Sequence, residues 1–206
     1  MLSAMAPAVR NVVFDIGGVL LDWDPRHLYR QLIADEGERE WFLAEVCTTA
    51  WNLALDAGRP FDEACAALED EHPGHADLIR AWRRQDEMVA GEVPGTAELV
   101  RRLRETGVPL FLLTNMPADV FRARRERYAV LEGFAGAVVS GEEGVLKPAA
   151  EIFTVLTTRF GLDPAETLFV DDSPGNVAGA RDAGLQAHQF TDAAALAGAL
   201  STLGLI

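Results

Sequence analysis

The chain has 206 residues, of which 49% are hydrophobic and 24% charged, and its formal net charge is −14. That length suits one domain, alone or with a smaller inserted one, and it can bury a core without disulfides or structural metals. The acidic balance disfavours nucleic acid and anionic membranes as partners, and no apolar run approaches the ~20 residues of a membrane span, so we expect a cytoplasmic protein.

The first predicted element is the strand NVVFD at residues 11–15. This apolar run ends on Asp15, and Gly17 and Gly18 follow almost at once. Glycines permit a sharp turn and a close approach of the backbone to a ligand. The pattern therefore predicts a carboxylate at the end of a buried strand, beside a tight turn.

Residues 25–90 show helical patterns and no convincing strand. Two stripes of apolar side chains recur at helical spacing, namely Phe61, Ala64, Cys65 and Leu68 in the first and Leu78, Ile79 and Trp82 in the second. Both cysteines, Cys47 and Cys65, lie in such apolar patterns and are predicted to be core residues. We expect residues 25–90 to form a helical cap domain, with 1–24 and 91–206 forming the core domain.

The second half of the chain alternates helical patterns with short apolar runs. One predicted helix has Thr96 as its N-cap and ends at Gly107; another carries Pro148 in its first turn and ends at Gly161. The remaining strands are predicted at residues 109–115, 135–140, 167–172 and 185–190, and their nearly continuous apolar character is typical of parallel strands. The alternation predicts an α/β fold, a doubly wound, Rossmann-like parallel sheet with a small inserted all-helical cap.

Polar residues stand at the carboxyl ends of these strands, where open parallel sheets bind their ligands. They are Asp15, Thr114 with Asn115, Ser140 with Gly141, and Asp171 with Asp172. Any one of them is explained as well by a turn or a helix cap. Several strand ends that together bring carboxylates, a hydroxyl and an amide to one edge of a sheet indicate a site.

These segments resemble the four motifs of the haloacid dehalogenase (HAD) superfamily, and the resemblance covers nearly the whole chain. The motifs are FDIGGVL with Asp15, FLLTN with Thr114 and Asn115, LKP with Lys147, and FVDDSPGNVAGARDAG with Asp171 and Asp172. The helical insertion matches the cap that the family places after its first motif. Within the superfamily the chain looks closest to bacterial phosphatases of the glucose-1-phosphate type and to the phosphatase domain of soluble epoxide hydrolases.

The resemblance implies a Mg²⁺-dependent phosphatase that forms an aspartyl-phosphate on Asp15. Its implied catalytic residues are Asp15, Thr114 and Lys147, its phosphate-binding residues Gly17, Gly18, Thr114, Asn115 and Lys147, and its metal ligands Asp15, Gly17 through its backbone carbonyl, Asp171 and Asp172. Oxygen ligands suit Mg²⁺, and a lysine supplies the local cation that an acidic chain otherwise lacks. The expected partner is a small phosphorylated metabolite, a sugar phosphate above all, and the oligomeric state is not predicted.

One position departs from the family pattern. Phosphatases of this family carry a second aspartate, a general acid and base, two positions after the nucleophile, where this chain has Gly17. Because such a group contributes ~10²–10⁴-fold, its absence puts proton transfer in doubt and predicts a steep dependence on the leaving group. Asp22 and Asp24 are candidate substitutes, although Asp24 is explained equally well as a helix N-cap before Pro25.

The sequence leaves two other functions open. A metal-independent hydrolase of the haloacid dehalogenase type would use Asp15 on a carbon centre, but it would gain nothing from the paired carboxylates of Asp171 and Asp172. A catalytically silent binding module that keeps a phosphate pocket is favoured by Gly17 and disfavoured by the intact Asp15, Lys147 and Asp171.

Other polar and aromatic residues receive structural interpretations. We expect the arginine-rich segment RARRER, residues 122–127, to form a solvated helix face and not an anion site. Trp23 follows the first motif and is assigned to packing, with contact to the substrate pocket as the less favoured alternative. The histidines share no spacing, and none is assigned to catalysis.

Overall fold

The structure, a computed structural model, describes residues 8–206, and seven strands lie within that range. They are β1 (Asn11–Phe14), β2 (Leu21–Trp23), β3 (Val89–Glu92), β4 (Leu110–Thr114), β5 (Gly136–Val139), β6 (Thr167–Asp171) and β7 (Gln186–Gln189). Five of them form one parallel sheet in the order β5-β4-β1-β6-β7, which confirms the predicted strands and the α/β fold. The chain leaves central β1 first toward β4 and β5 and then toward β6 and β7, so the sheet's switch point lies at the carboxyl end of β1.

Helices cover both faces of this sheet. They are α6 (Thr96–Thr106), α7 (Ala118–Arg127), α8 (Ser140–Glu143), α9 (Ala150–Phe160), α10 (Pro174–Asp182) and α11 (Ala193–Thr202). Alternate β1 side chains enter two separate clusters: Val12 and Phe14 pack with residues of α6 and α11, and Val13 packs with residues of α9 and α10. Burial on both faces explains why β1, β4 and β6 are largely apolar, whereas the edge strand β7, with the sequence QAHQ, is only partly buried.

Two predicted helix starts are wrong. Helix α6 has Gly95 at its N-cap, with φ +85°, and the buried hydroxyl of Thr96 donates back to the carbonyl of Val93 at 2.8 Å. Helix α9 begins at Ala150, so Pro148 precedes its first turn. Both predicted ends are confirmed, because left-handed glycines, Gly107 and Gly161, follow the two helices.

Between β2 and β3 the chain is mostly helical. The helices are α1 (Arg26–Leu32), α2 (Glu36–Trp41), which continues as a π-helical turn, α3 (Thr49–Asp56), α4 (Phe61–Glu71) and α5 (Ala76–Ala81). They enclose a hydrophobic cluster of their own, which includes the buried thiols of Cys47 and Cys65. The expectation that residues 25–90 hold no strand is wrong at the end of that range, since β3 begins at Val89 and pairs antiparallel with β2.

No helix in the described part of the chain is both long enough and apolar enough to cross a lipid bilayer.

Candidate active site

Asp15 stands at the carboxyl end of β1, where its amide donates to the carbonyl of Val170 at 2.9 Å. The chain then turns sharply, with the amides of Leu20 and Leu21 donating to the carbonyl of Ile16. Gly18 takes φ +71°, and a Cβ there would collide with the carboxylate of Asp172. The backbone at Gly18 thus runs directly beside the Asp172 carboxylate, and no side chain fits between them.

Lys147 is buried between two carboxylates. Its ammonium nitrogen lies 2.8 Å from Oδ1 of Asp15 and 2.7 Å from Oδ2 of Asp171, and it donates to the carbonyl of Leu113 at 2.9 Å. Three acceptors match the three hydrogens of an ammonium group. Burial works against the charge, but the two carboxylates raise the pKa of Lys147 overall, so the side chain stays cationic.

The end of β4 supplies the next polar groups. Thr114 is buried and lines the same cavity as Asp15. The side chain of Asn115 accepts from the amide of Lys147 at 2.9 Å and donates to its carbonyl at 3.0 Å. Asn115 therefore fixes the backbone from which the Lys147 side chain extends.

Three carboxylates, those of Asp15, Asp171 and Asp172, each offer an oxygen within 4.8 Å of the other two. The pKa of Asp172 is raised, because its carboxyl group is partly desolvated and lies beside the Asp171 carboxylate. Hard oxygen ligands clustered in this way fit Mg²⁺ or a similar divalent cation.

The two motif-four carboxylates differ in their hydrogen bonds. Oδ1 of Asp171 accepts from the amide of Ser173 at 2.9 Å, and both of its oxygens accept from Asn176 at 3.0 and 3.1 Å, in addition to the contact with Lys147. Asp172 is exposed and lines the cavity. Asp171 is thus held by the protein, and Asp172 is freer to contact a ligand.

A cavity of about 290 Å³ opens at this edge of the sheet. The sequence-predicted site residues that line it are Asp15, Gly17, Gly18, Thr114, Asn115, Lys147 and Asp172. Asp171 lies behind them, fully buried. The sheet therefore brings the residues of all four predicted motifs to one place.

Sequence reasoning missed two charged residues in the cavity wall. Asp56, the last residue of α3, is buried, and burial raises its pKa to about 7, even though the charge of Arg124 lowers it. Arg124 on α7 is also buried, and its Nε has no hydrogen-bond partner among the described residues. The expectation of a solvated face over residues 122–127 is therefore wrong for Arg124, whose neighbours Arg122, Arg125 and Arg127 are exposed.

The structure also shows where three other side chains near the first motif lie. Trp23 packs against the hydrophobic cluster of the inserted helices, as expected, and it also lines the cavity. Asp22 is half exposed with Oδ1 3.3 Å from Nε2 of His27, and Oδ1 of Asp24 accepts from the amide of Arg26 at 2.8 Å. Neither aspartate lines the cavity. The expectation that Asp24 is a helix N-cap is wrong, because the N-cap of α1 is Pro25, and Asp24 accepts from the first helical amide from just outside the helix.

Comparisons with known proteins agree with the motifs. The family of haloacid dehalogenase-like hydrolases matches residues 9–184. A sesquiterpene phosphatase of Aspergillus oryzae is 27% identical over 93% of this chain and 94% of its own length. Other related proteins are phosphatases that act on different substrates, including glycerol-3-phosphatase and phosphoglycolate phosphatase.

Solved structures show the same fold. A HAD-like family hydrolase from Porphyromonas gingivalis superposes with a TM-score of 0.72 at 23% identity, covering 96% of this chain and 98% of that one. A HAD family enzyme from Bacteroides thetaiotaomicron, determined with magnesium and inorganic phosphate, gives 0.66 at 22% identity over 89% of this chain and 95% of that one. With the family match over most of its length, this chain belongs to the haloacid dehalogenase-like hydrolases.

Proposed function

We propose that this enzyme is a Mg²⁺-dependent phosphatase that hydrolyses a small phosphorylated metabolite, a sugar phosphate above all, through an aspartyl-phosphate on Asp15. The observation that carries the proposal is the contact of 2.8 Å between the ammonium group of Lys147 and the Asp15 carboxylate, beside two further carboxylates. Phosphatases among the related proteins add support.

The proposed reaction has two displacements at phosphorus. An oxygen of Asp15 attacks, the new Asp15–phosphorus bond forms, and the bond from phosphorus to the leaving oxygen breaks. Water then attacks the same phosphorus, and the Asp15–phosphorus bond breaks to release inorganic phosphate. Lys147 stabilises the charge that builds on the phosphoryl oxygens, and Thr114 with Asn115 and the turn at Gly17 and Gly18 forms the remaining phosphate cradle.

A divalent cation fits the carboxylate cluster, and magnesium in the Bacteroides structure supports this assignment. Asp15, Asp172 and the backbone carbonyl of Gly17 would hold it, with Asp171 close by and largely engaged by Lys147 and Asn176. When bound, the cation offsets the repulsion between the nucleophile and the phosphate and polarises a phosphoryl oxygen.

The substrate's organic part faces the inserted helices, and we propose residues 25–90 as the cap domain over the site. Asn52, Asp56 and Gln85 give the cavity polar groups on that side, and Trp23 gives it an aromatic wall. Polar groups beside an indole suit a sugar, which supports a sugar phosphate and the glucose-1-phosphate branch.

A second substrate class, prenyl or terpenyl phosphates, is supported by a separate observation. A larger cavity of about 640 Å³ shares Trp23, Asn52 and Asp56 with the first and is lined further by apolar groups, among them Leu43, Leu53 and Trp82. The Aspergillus relative is a sesquiterpene phosphatase. An apolar alcohol would fit that space.

A screen of phosphate esters, with Mg²⁺ and with EDTA, tests the proposal. It should include sugar 1-phosphates, sugar 6-phosphates, a prenyl phosphate and p-nitrophenyl phosphate. We expect Mg²⁺-dependent release of phosphate, and loss of turnover in Asp15→Asn, which keeps the side-chain shape. Substantial turnover by a folded Asp15→Asn variant would rule out the covalent route, and metal-independent release of halide from 2-haloacids would favour the dehalogenase alternative. No turnover of any ester, with retained phosphate binding, would favour a silent module.

A further inference from the structure

Gly17 leaves the first motif without a proton donor, but a carboxyl group reaches the cavity from the inserted helices. We propose that Asp56 is the general acid and base of this active site. This inference rests on the proposed phosphatase function. It assigns to α3 a role that the family pattern would give to the residue at position 17.

The position of Asp56 suits the leaving group. In displacement at phosphorus the attacking and leaving oxygens lie roughly in line. Asp15 enters the cavity from the sheet, at the end of β1, whereas Asp56 enters from α3 in the insertion, and both line the same space of about 290 Å³. We place the leaving oxygen on the side of the cavity that the inserted helices form, where Asp56 lies.

A chain of hydrogen bonds orients the carboxyl group. The indole N–H of Trp82 donates to Oδ1 of Asn52 at 3.1 Å, and Nδ2 of Asn52 donates to Oδ2 of Asp56 at 2.9 Å. Oδ1 of Asp56 accepts no hydrogen bond from any described residue. One oxygen is thus fixed by the protein, and the other is left for a proton and a substrate.

The backbone of Asp56 is fastened to the sheet. The hydroxyl of Ser140, directly after β5, donates to the Asp56 carbonyl at 2.5 Å and accepts from the amide of Met116 at 2.9 Å. Met116 and Ser140 both follow core strands, so the end of α3 is seated on the same edge of the sheet as the predicted motifs. A catalytic carboxyl needs such rigid support.

The surroundings of Asp56 suit proton transfer in both directions. Burial raises the pKa of Asp56, and the nearby Asp15 raises it further. The cationic Arg124 and Lys147 lower it, and the balance leaves the pKa at about 7. A general acid and base works best when its pKa lies near the operating pH. Asp22 and Asp24 do not line the cavity, so Asp56 is the best placed of the three aspartates.

The proton balance closes over one turnover. In the first displacement the protonated Asp56 gives its proton to the leaving oxygen, which departs as an alcohol. In the second, the Asp56 carboxylate takes a proton from the water that attacks the phosphorus. Asp56 ends protonated, as it began, and the hydroxyl group left from the water leaves as part of the inorganic phosphate.

The test compares wild type with Asp56→Asn, both loaded with Mg²⁺, on an alkyl phosphate ester and on p-nitrophenyl phosphate, whose leaving group needs no proton. We expect kcat/KM for the alkyl ester to fall ~10²–10⁴-fold and kcat/KM for the aryl ester to fall less than about tenfold. We also expect a burst of p-nitrophenol in the variant alone, because without the base only hydrolysis of the aspartyl-phosphate is slowed.

Asp62→Asn is the matched control, since Asp62 is an exposed aspartate of α4 that does not line the cavity. An equal loss of kcat/KM on both esters, or no loss on the alkyl ester, in a folded Asp56→Asn variant would overturn the inference and leave the phosphatase function standing. If wild type hydrolyses neither ester nor any other phosphate, both proposals fall together.

Discussion

The side chain of Asn115 brackets the backbone of Lys147, accepting from its amide at 2.9 Å and donating to its carbonyl at 3.0 Å. Asn115 ends the FLLTN motif that follows from β4, and Lys147 belongs to the LKP motif, so two motifs distant in sequence are joined at the backbone of one residue. The ammonium group that contacts Asp15 therefore depends on an amide that belongs to another strand end. This relationship makes Asn115 a positioning residue for Lys147, in addition to its proposed role as a phosphate ligand.

Asn115→Ala should displace Lys147 without removing it. We expect kcat to fall by ~10–100-fold, as is typical when an outer hydrogen-bond partner of a site is lost. Two hydrogen bonds also disappear, at about 0.5–1.5 kcal/mol each, so the free energy of unfolding should fall by about 1–3 kcal/mol. Steady-state kinetics and urea unfolding measure both effects.

Asn11→Ala provides the control, because Asn11 lies at the opposite, amino end of β1. It should leave kcat unchanged. If Asn115→Ala weakened only phosphate binding, with unchanged kcat and stability, the residue would act as a ligand alone.

The parts of this fold that the sequence predicts are those fixed by local pattern. Buried parallel strands are largely apolar, so the sequence pattern locates their ends, and polar residues at four of the five ends indicated the site. Strand β3 was missed because it is four residues long, contains Gly91 and pairs only with the three residues of β2. No local pattern marks a strand whose partner lies more than sixty residues away.

Asp56 and Arg124 were missed because only tertiary packing places them. Arg124 lies within an arginine-rich segment, and its one local signal is its spacing of three from the buried Phe121, on the same face of α7. Asp56 ends a helix in the insertion, and its contact with Ser140 spans 84 positions of sequence. Charged residues of that kind become visible only when the inserted helices are seated on the sheet.

Gly18→Ala should disturb both the turn and the metal site. Gly18 has φ +71°, where a side chain is strained, and its new Cβ would meet the carboxylate of Asp172. We expect a loss of roughly 1–3 kcal/mol of stability and a higher Mg²⁺ concentration for half-maximal activity. Thermal unfolding and a Mg²⁺ titration of activity give the two readouts.

Gly17→Ala is the matched control for stability. A Cβ at Gly17 would have as its nearest neighbour Cβ of Trp23 at 4.0 Å, and Gly17 is not among the glycines with positive φ. Its stability should stay within about 1 kcal/mol of wild type. Equal destabilisation by both substitutions would contradict the role assigned to the Gly18 turn.

Asp56→Asn should stabilise the metal-free protein at alkaline pH. The folded state holds the pKa of Asp56 at about 7, against an ordinary value of 3.8, so between these values it binds more protons than the unfolded state. Stability contributed by this group therefore falls as pH rises from about 4 to 7. Removing the carboxyl should add roughly 2–4 kcal/mol at about pH 8, and the gain should vanish toward about pH 4.

Urea unfolding in EDTA at several pH values measures that difference, with Asp62→Asn as the control for the change of charge. If Asp56→Asn raised the free energy of unfolding equally at every pH, burial of the ionised Asp56 carboxylate would not be the source of the increase. Increased stability together with lost activity on alkyl esters is the compromise expected of a residue kept for catalysis at the expense of the fold.

Gly17→Asp should return a proton donor to the position where the family carries one. The space beside Gly17 accepts a side chain, since Cβ of Trp23, at 4.0 Å, is the nearest atom to a new Cβ. In the Asp56→Asn background we expect Gly17→Asp to raise kcat/KM for an alkyl phosphate by at least about tenfold, because a general acid contributes ~10²–10⁴-fold. Gly17→Asn in the same background gives a side chain of nearly the same shape as aspartate but without an acidic proton. It should not raise kcat/KM for the alkyl phosphate. A Gly17→Asp variant that folds and binds Mg²⁺, yet hydrolyses the alkyl ester no faster than Asp56→Asn alone, would show that a carboxyl at position 17 does not reach the leaving oxygen.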